Sequence, residues 1–163
     1  MELALTVSPR SVSGVRRFVE GLVAEAAEGF GADPDLAARV ALTVHELLEN
    51  VALYAQHRHG TLCLAATEPE RGRRLTITVT NSATPAHVAR LKHALRDAGD
   101  GSDGMAHYLS LMRQTVGRDQ SGLGLARIRA EADMLLSLSI EEDEVSVSAS
   151  TALPEQPIAE GRS

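Results

Sequence analysis

Two short runs in this chain combine residue types that could do acid–base and anion-binding chemistry. The first is Glu46-Leu47-Leu48-Glu49-Asn50. Glu46 and Asn50 stand four apart, so on a helix both project from one face. A carboxylate in that position can accept a proton from a nucleophile, and an amide oxygen one turn on can ligate a hard cation such as magnesium. Tyr54 and His57 lie further along. Taken alone, the pair is also compatible with an ordinary helix surface, because glutamate is common in helices and charged faces are usually just solvated.

The second run is Ser121-Gly122-Leu123-Gly124-Leu125, ahead of a helical stretch. Glycines let a backbone approach a phosphate closely, and the free amides and dipole of a helix N-terminus favour an anion there. Alone, it reads equally as a turn that precedes a helix. A Rossmann fingerprint would need glycine where Arg127 stands, and a Walker loop would need lysine and then serine or threonine after the last glycine. Neither is present. His45-Glu46 opens like the zincin motif, but the second histidine would fall at Glu49. His57-Arg58-His59-Gly60 suits the end of a helix, where cations meet the dipole and glycine caps. No serine stands in a G-x-S-x-G elbow. Cys63, the single cysteine, lies in the apolar run Thr61-Leu62-Cys63-Leu64 and reads as a small core residue.

These residues need elements to position them. Glu2 to Val7 predicts a strand, and Ser8-Pro9-Arg10-Ser11 a turn. From Ser11, Val15, Phe18, Val19, Leu22, Val23 and Ala26 recur at helical spacing as far as Gly29 or Gly31. Asp33-Pro34 supplies an N-cap and a proline in the first turn, and Leu36, Val40, Val44, Leu47, Leu48 and Val51 carry a second helix to about Gln56. That stripe puts Glu46 and Asn50 at the edge of a buried face. Thr61 to Thr67 and Arg74 to Thr80 predict a strand pair, the second alternating Leu75, Ile77 and Val79 with threonines. A helix from Pro85 to about Ala98 follows, then a glycine- and aspartate-rich break, helices over 106–116 and 125–134, and a second strand pair over 135–140 and 145–150. Strands that arrive as hairpins favour an α+β fold, a two-layer α/β sandwich with a mixed, mostly antiparallel sheet and helices on one face, over a doubly wound sheet. Residues 1–152 are expected to form one domain, and 153–163 a flexible C-terminal tail.

The chain has 163 residues and a net charge of -6, long enough for one core and too acidic for general phosphate-backbone binding. Nucleic acid is therefore not an expected partner. No apolar run is long enough for a membrane span, and the start lacks the basic flank of a signal peptide, so a soluble cytoplasmic protein is expected.

Together, Glu46 to Asn50 on a helix, a strand ending at Asn81, and Ser121 to Leu125 before another helix resemble the GHKL, or Bergerat, ATP-binding fold. The resemblance covers roughly residues 10 to 150 and is greatest to the small stand-alone anti-sigma-factor serine kinases of bacterial partner switching, including the SiaB-like branch. It implies that Glu46 is the general base and Asn50 the magnesium ligand. It implies also that Ser121, Gly122, Leu123 and Gly124 wrap the phosphates of ATP, and that 99–120 is a mobile lid. The kinase members phosphorylate a small STAS-type anti-sigma-factor antagonist, and several bind a sigma factor instead. By analogy, two copies would pair through the first strand and helix.

One motif departs from the family. Where an aspartate usually accepts the adenine amino group within an Asp-x-Gly-x-Gly run, this chain has Asn81-Ser82-Ala83-Thr84-Pro85. Asn81 still offers an amide oxygen but no charge, a loss of about 1–2 kcal/mol. The SiaB-like branch resembles this chain in an asparagine-led run followed by a helix. Retained Glu46, Asn50 and both loop glycines favour a serine/threonine kinase, and the altered run favours an inactive pseudo-kinase that binds a partner protein.

Overall fold

The computed structural model describes residues 2–6, 9–30, 35–67, 72–98, 104–114 and 122–153. Along the chain come β1 (Glu2–Thr6), α1 (Pro9–Phe30), α2 (Leu36–Tyr54), β2 (His59–Thr67), β3 (Arg74–Ser82), α3 (Pro85–Ala98), α4 (Gly104–Gln114), α5 (Leu123–Glu131), β4 (Leu135–Glu141) and β5 (Glu144–Ala152). The five strands form one sheet in the order β1-β2-β3-β5-β4, an α+β architecture. Every pairing among them is antiparallel, so the parallel minority of the expected mixed sheet is absent from the described strands.

Alternation decides which face each strand buries. Leu62 and Leu64 of β2, Ile77 and Val79 of β3, and Val145, Val147 and Ala149 of β5 point to the core, with Leu62 opposite Val79 and Val79 opposite Val147. The other face is polar. There Thr78 and Ser148 share a hydrogen bond of 2.8 Å, and Thr80 and Ser146 one of 2.7 Å. Cys63 belongs to this second face: its neighbours Leu62 and Leu64 are buried while it is only half-buried, so it is not the core residue its apolar surroundings predict.

α2 is the central helix. Leu36, Val40, Val44, Leu47, Leu48 and Val51 are all buried, as their spacing predicts. Its first turn is tied down by Arg39, which donates from Nε to the carbonyl of Ala132 at 2.6 Å and from Nη2 to the carbonyl of Asp133 at 3.1 Å. Asp35 occupies the N-cap position, and Asp33-Pro34 lies outside the described residues. At the far end the helix stops at Tyr54 with an extended Ala55, and Gly60 is already in β2. Gly60 is therefore not the helix cap its position suggests. A Cβ there would meet Val51 Cγ1 at 3.1 Å and the Thr80 carbonyl oxygen at 3.2 Å, so glycine lets β2 pass close beneath the end of α2.

α1 packs on α2 through a stripe rotated from the expected one. Val12 and Val19 are buried, with Val15 and Val23 packed against the core, whereas Phe18 is 56% and Leu22 38% exposed. The valines recur at three and four and suffice to make the contact, which leaves the two larger side chains on the flank.

Candidate functional site

Both motifs meet where α5 crosses α2. Gly122, at the N-cap of α5, has φ +94°, a left-handed conformation that suits glycine. Its carbonyl accepts the amide of Ala126 at 3.1 Å and starts the helix. Leu125 and Ile128 then anchor α5 in the core, which turns Gly124 and Arg127 toward Glu46 of α2.

The approach at Gly124 is close. A Cβ added there would lie 2.7 Å from Glu46 Oε2, nearer than a side chain tolerates. Glycine is needed here for space and not for backbone freedom. The other carboxylate oxygen, Oε1, accepts from Arg127 Nη1 at 2.9 Å. Arg127 Nε donates in turn to Glu131 Oε2 at 3.0 Å, one helical turn on.

Glu46 is 8% exposed. Burial pushes its carboxyl above the ordinary carboxylate range, and the Arg127 hydrogen bond and charge offset that in part. Glu49 adds to the rise and His45 opposes it. A carboxylate raised in this way is a stronger base than an exposed one, as proton abstraction near neutral pH requires.

Asn50 stands one turn beyond Glu46 on α2, and its Nδ2 is buried without a hydrogen-bond partner. Leaving a buried amide atom unpaired costs about 1–3 kcal/mol, so a polar occupant beside it would be favoured. The glycine cradle and this orphaned amide fit a nucleotide phosphate with its cation. Asn50 supplies an oxygen donor of the kind magnesium takes.

Asn81 sits at the other end of α2. Strand alternation puts it on the helix-covered face with Ile77 and Val79, half-buried, with Nδ2 donating to the Ser82 carbonyl at 3.1 Å. The end of α2 is held to it by the bridge between Ala55 and Ala83 and by the Gln56 amide bonded to the Ser82 carbonyl at 3.1 Å. The run that departs from the glycine pattern begins a helix: Thr84 Oγ1 accepts the His87 amide at 3.3 Å as an N-cap, and Pro85 takes the first position of α3. His87, 7% exposed, stacks on Tyr54 with ring centroids 4.6 Å apart. Burial and nearby Arg90 hold its pKa below the usual histidine value.

Of the residues singled out from sequence, Glu46 and Gly124 come together, Gly122 and Leu123 open α5 beside them, and Asn50 and Asn81 lie further along α2 and at its end. Ser121 and most of the expected lid fall outside the described residues. Of that segment 104–114 is helix α4, which starts two residues before the expected 106. Sequence reasoning missed Arg127, Glu131 and His87 as parts of this region. The i,i+4 spacing of Arg127 and Glu131 was the only local signal.

Comparison with known proteins agrees with this geometry. The family model for the histidine kinase-like ATPase domain matches residues 5–149. No curated protein matches the sequence. Eight chains of solved structures match. One is in the SiaB–SiaC complex from Pseudomonas aeruginosa, with a TM-score of 0.62 and 17% identity over 94% of this chain and 89% of that chain. At that identity the likeness shows a shared fold.

Proposed function

The chain belongs to the histidine kinase-like ATPase domain family, and from that premise we propose that it is an ATP-binding serine/threonine kinase-like regulator of bacterial partner switching. The observation that carries this reading is the contact of Glu46 with Gly124, which joins the candidate base to the phosphate loop. Glu46 to Tyr54 spans about 12 Å along α2 at helical rise. A nucleotide laid along that helix would put its base near Asn81 and its phosphates near Gly122 and Gly124, with Ser121 and Leu123 in the same loop.

Asn50 would hold magnesium on the phosphates, where the ion neutralises charge as the γ-phosphoryl group leaves. Glu46 accepts the proton of the attacking hydroxyl, and the loop amides fix the phosphate in line. The acceptor we propose is a serine or threonine on a small STAS-type antagonist; a sigma factor is the other partner class. That proposal rests on the resemblance to anti-sigma-factor kinases and on the fold shared with SiaB, which was solved in complex with SiaC. Pairing of two copies through β1 and α1 belongs to the same reading, supported by the exposed Phe18 and Leu22, as does a cytoplasmic setting. No described helix is long and apolar enough to cross a membrane.

A second reading has its own observation. The stacked Tyr54–His87 pair and the helix that starts at Pro85 replace the glycine run beside Asn81, which favours a pseudo-kinase that only binds a partner protein. Glu46→Ala separates the two. The kinase reading expects this variant to bind nucleotide, keep its fold and lose phosphoryl transfer. A folded Glu46→Ala protein that no longer binds nucleotide would contradict the base role. Partner capture by the parent protein without ATP turnover would establish the pseudo-kinase.

A further inference from the structure

Glu46 is linked to a helix that it does not touch. The Tyr108 hydroxyl of α4 hydrogen-bonds the carboxylate of Glu131. Glu131 Oε2 accepts from Arg127 Nε at 3.0 Å, and Arg127 Nη1 donates to Glu46 Oε1 at 2.9 Å. A guanidinium is planar and its donors are fixed relative to one another, so two acids on different helices set its orientation together. The Glu46 end has little freedom of its own. Oε2 lies against Gly124, and the side chain is 9% exposed.

We propose that Arg127 is a positioning residue that fixes the Glu46 carboxylate and couples it, through Glu131 and Tyr108, to the placement of α4. The catalytic consequence rests on the reading of Glu46 as the base; the coupling itself does not. With Tyr108 seated on Glu131, Arg127 holds Oε1 toward α5. A shift of α4 that withdraws Tyr108 lets Glu131 turn, slackens the guanidinium and frees Glu46 to turn toward a nucleophile. The geometry demands arginine. Lysine at 127 has one ammonium and cannot reproduce the fork that bridges both acids.

The test uses the full chain labelled with ¹³C at glutamate side chains, with the Glu46 resonance assigned by its loss in Glu46→Gln. Tyr108→Phe is expected to move the Glu46 carboxyl resonance, although it removes only a hydroxyl on α4. In the Arg127→Met background the same change should leave that resonance still. Should Arg127→Met fail to fold, Arg127→Lys provides the comparison, and the response should be reduced. Read from the other end, Glu46→Gln should speed amide exchange in α4 about threefold or more, and by less when Arg127 is replaced. A Glu46 resonance that ignores Tyr108→Phe, or that responds equally without Arg127, overturns the coupling. Neither measurement needs ATP turnover, so failure of the coupling is distinct from failure of the base role, which Glu46→Ala transfer rates decide.

Discussion

Replacing Gly124 with alanine puts the candidate base under a defined steric load. A Cβ at this position would lie 2.7 Å from Glu46 Oε2, while ordinary contact starts at 3.4 Å, so the carboxylate must retreat by about 0.7 Å. The backbone itself accepts alanine, because Gly124 lies in the first turn of α5 and is not left-handed. Alanine there restricts the unfolded chain and stabilises by about 0.4–1 kcal/mol. Against this stands the strained or lost bond from Arg127 to Glu46. The arginine is 38% exposed, so solvent screening leaves that bond worth about 1 kcal/mol. The two effects nearly cancel, and the thermal midpoint should move by no more than about 4 °C. Catalysis is less forgiving. A displacement near 1 Å costs on the order of 100-fold, so phosphoryl transfer or ATP hydrolysis at saturating Mg-ATP should fall roughly 10- to 100-fold. Thermal unfolding and initial rates on the same preparations give both numbers. In a Glu46→Gln background the added alanine should cost little further activity. A Gly124→Ala protein with a native midpoint and the parent rate would refute the placement of Glu46 as base against this loop.

Three further outcomes follow from the geometry. Asn50→Ala should weaken magnesium-dependent ATP binding roughly tenfold by calorimetry while leaving the midpoint unchanged or raised, because it deletes a buried amide without a partner; unchanged Mg-ATP affinity would count against Asn50 as the ligand. Since burial holds the folded-state pKa of Glu46 above its ordinary 4.5, the folded protein binds that proton more tightly. Its contribution to stability is present below about 4.5 and lost as pH rises through the folded value. Denaturant unfolding against pH should therefore show the parent losing stability relative to Glu46→Gln as pH rises, and a flat difference would argue that Glu46 is solvated. Leu48→Ala empties a fully buried site on α2 and should cost about 2–5 kcal/mol in urea unfolding; a smaller loss would mean that α2 is not the central packing element.

Much of this was legible in sequence, for reasons that differ by residue. The α2 stripe recurs at helical period without a break from Leu36 to Val51, so both its burial and the edge position of Glu46 and Asn50 could be read directly. Asn81 was legible as the end of an alternating strand, and Thr84-Pro85 as the start of a helix. Pairing across the chain was not. Arg127 stands 81 residues from Glu46, and nothing local to either distinguishes this ion pair from any solvated charge. The stack of His87 on Tyr54 is hidden in the same way. Cys63 misled because two-residue alternation puts neighbours in an apolar run on opposite faces. On α1 two overlapping apolar spacings competed, and only packing against α2 decided that the valines go in and Phe18 stays out.

The central claim is that this chain binds ATP through magnesium held at Asn50, beside a base at Glu46. Calorimetric titration of the purified protein with ATP, with and without magnesium, tests it most directly. The account predicts saturable binding that depends on magnesium and weakens in Asn50→Ala. Absence of binding up to millimolar ATP in the folded parent protein would contradict it.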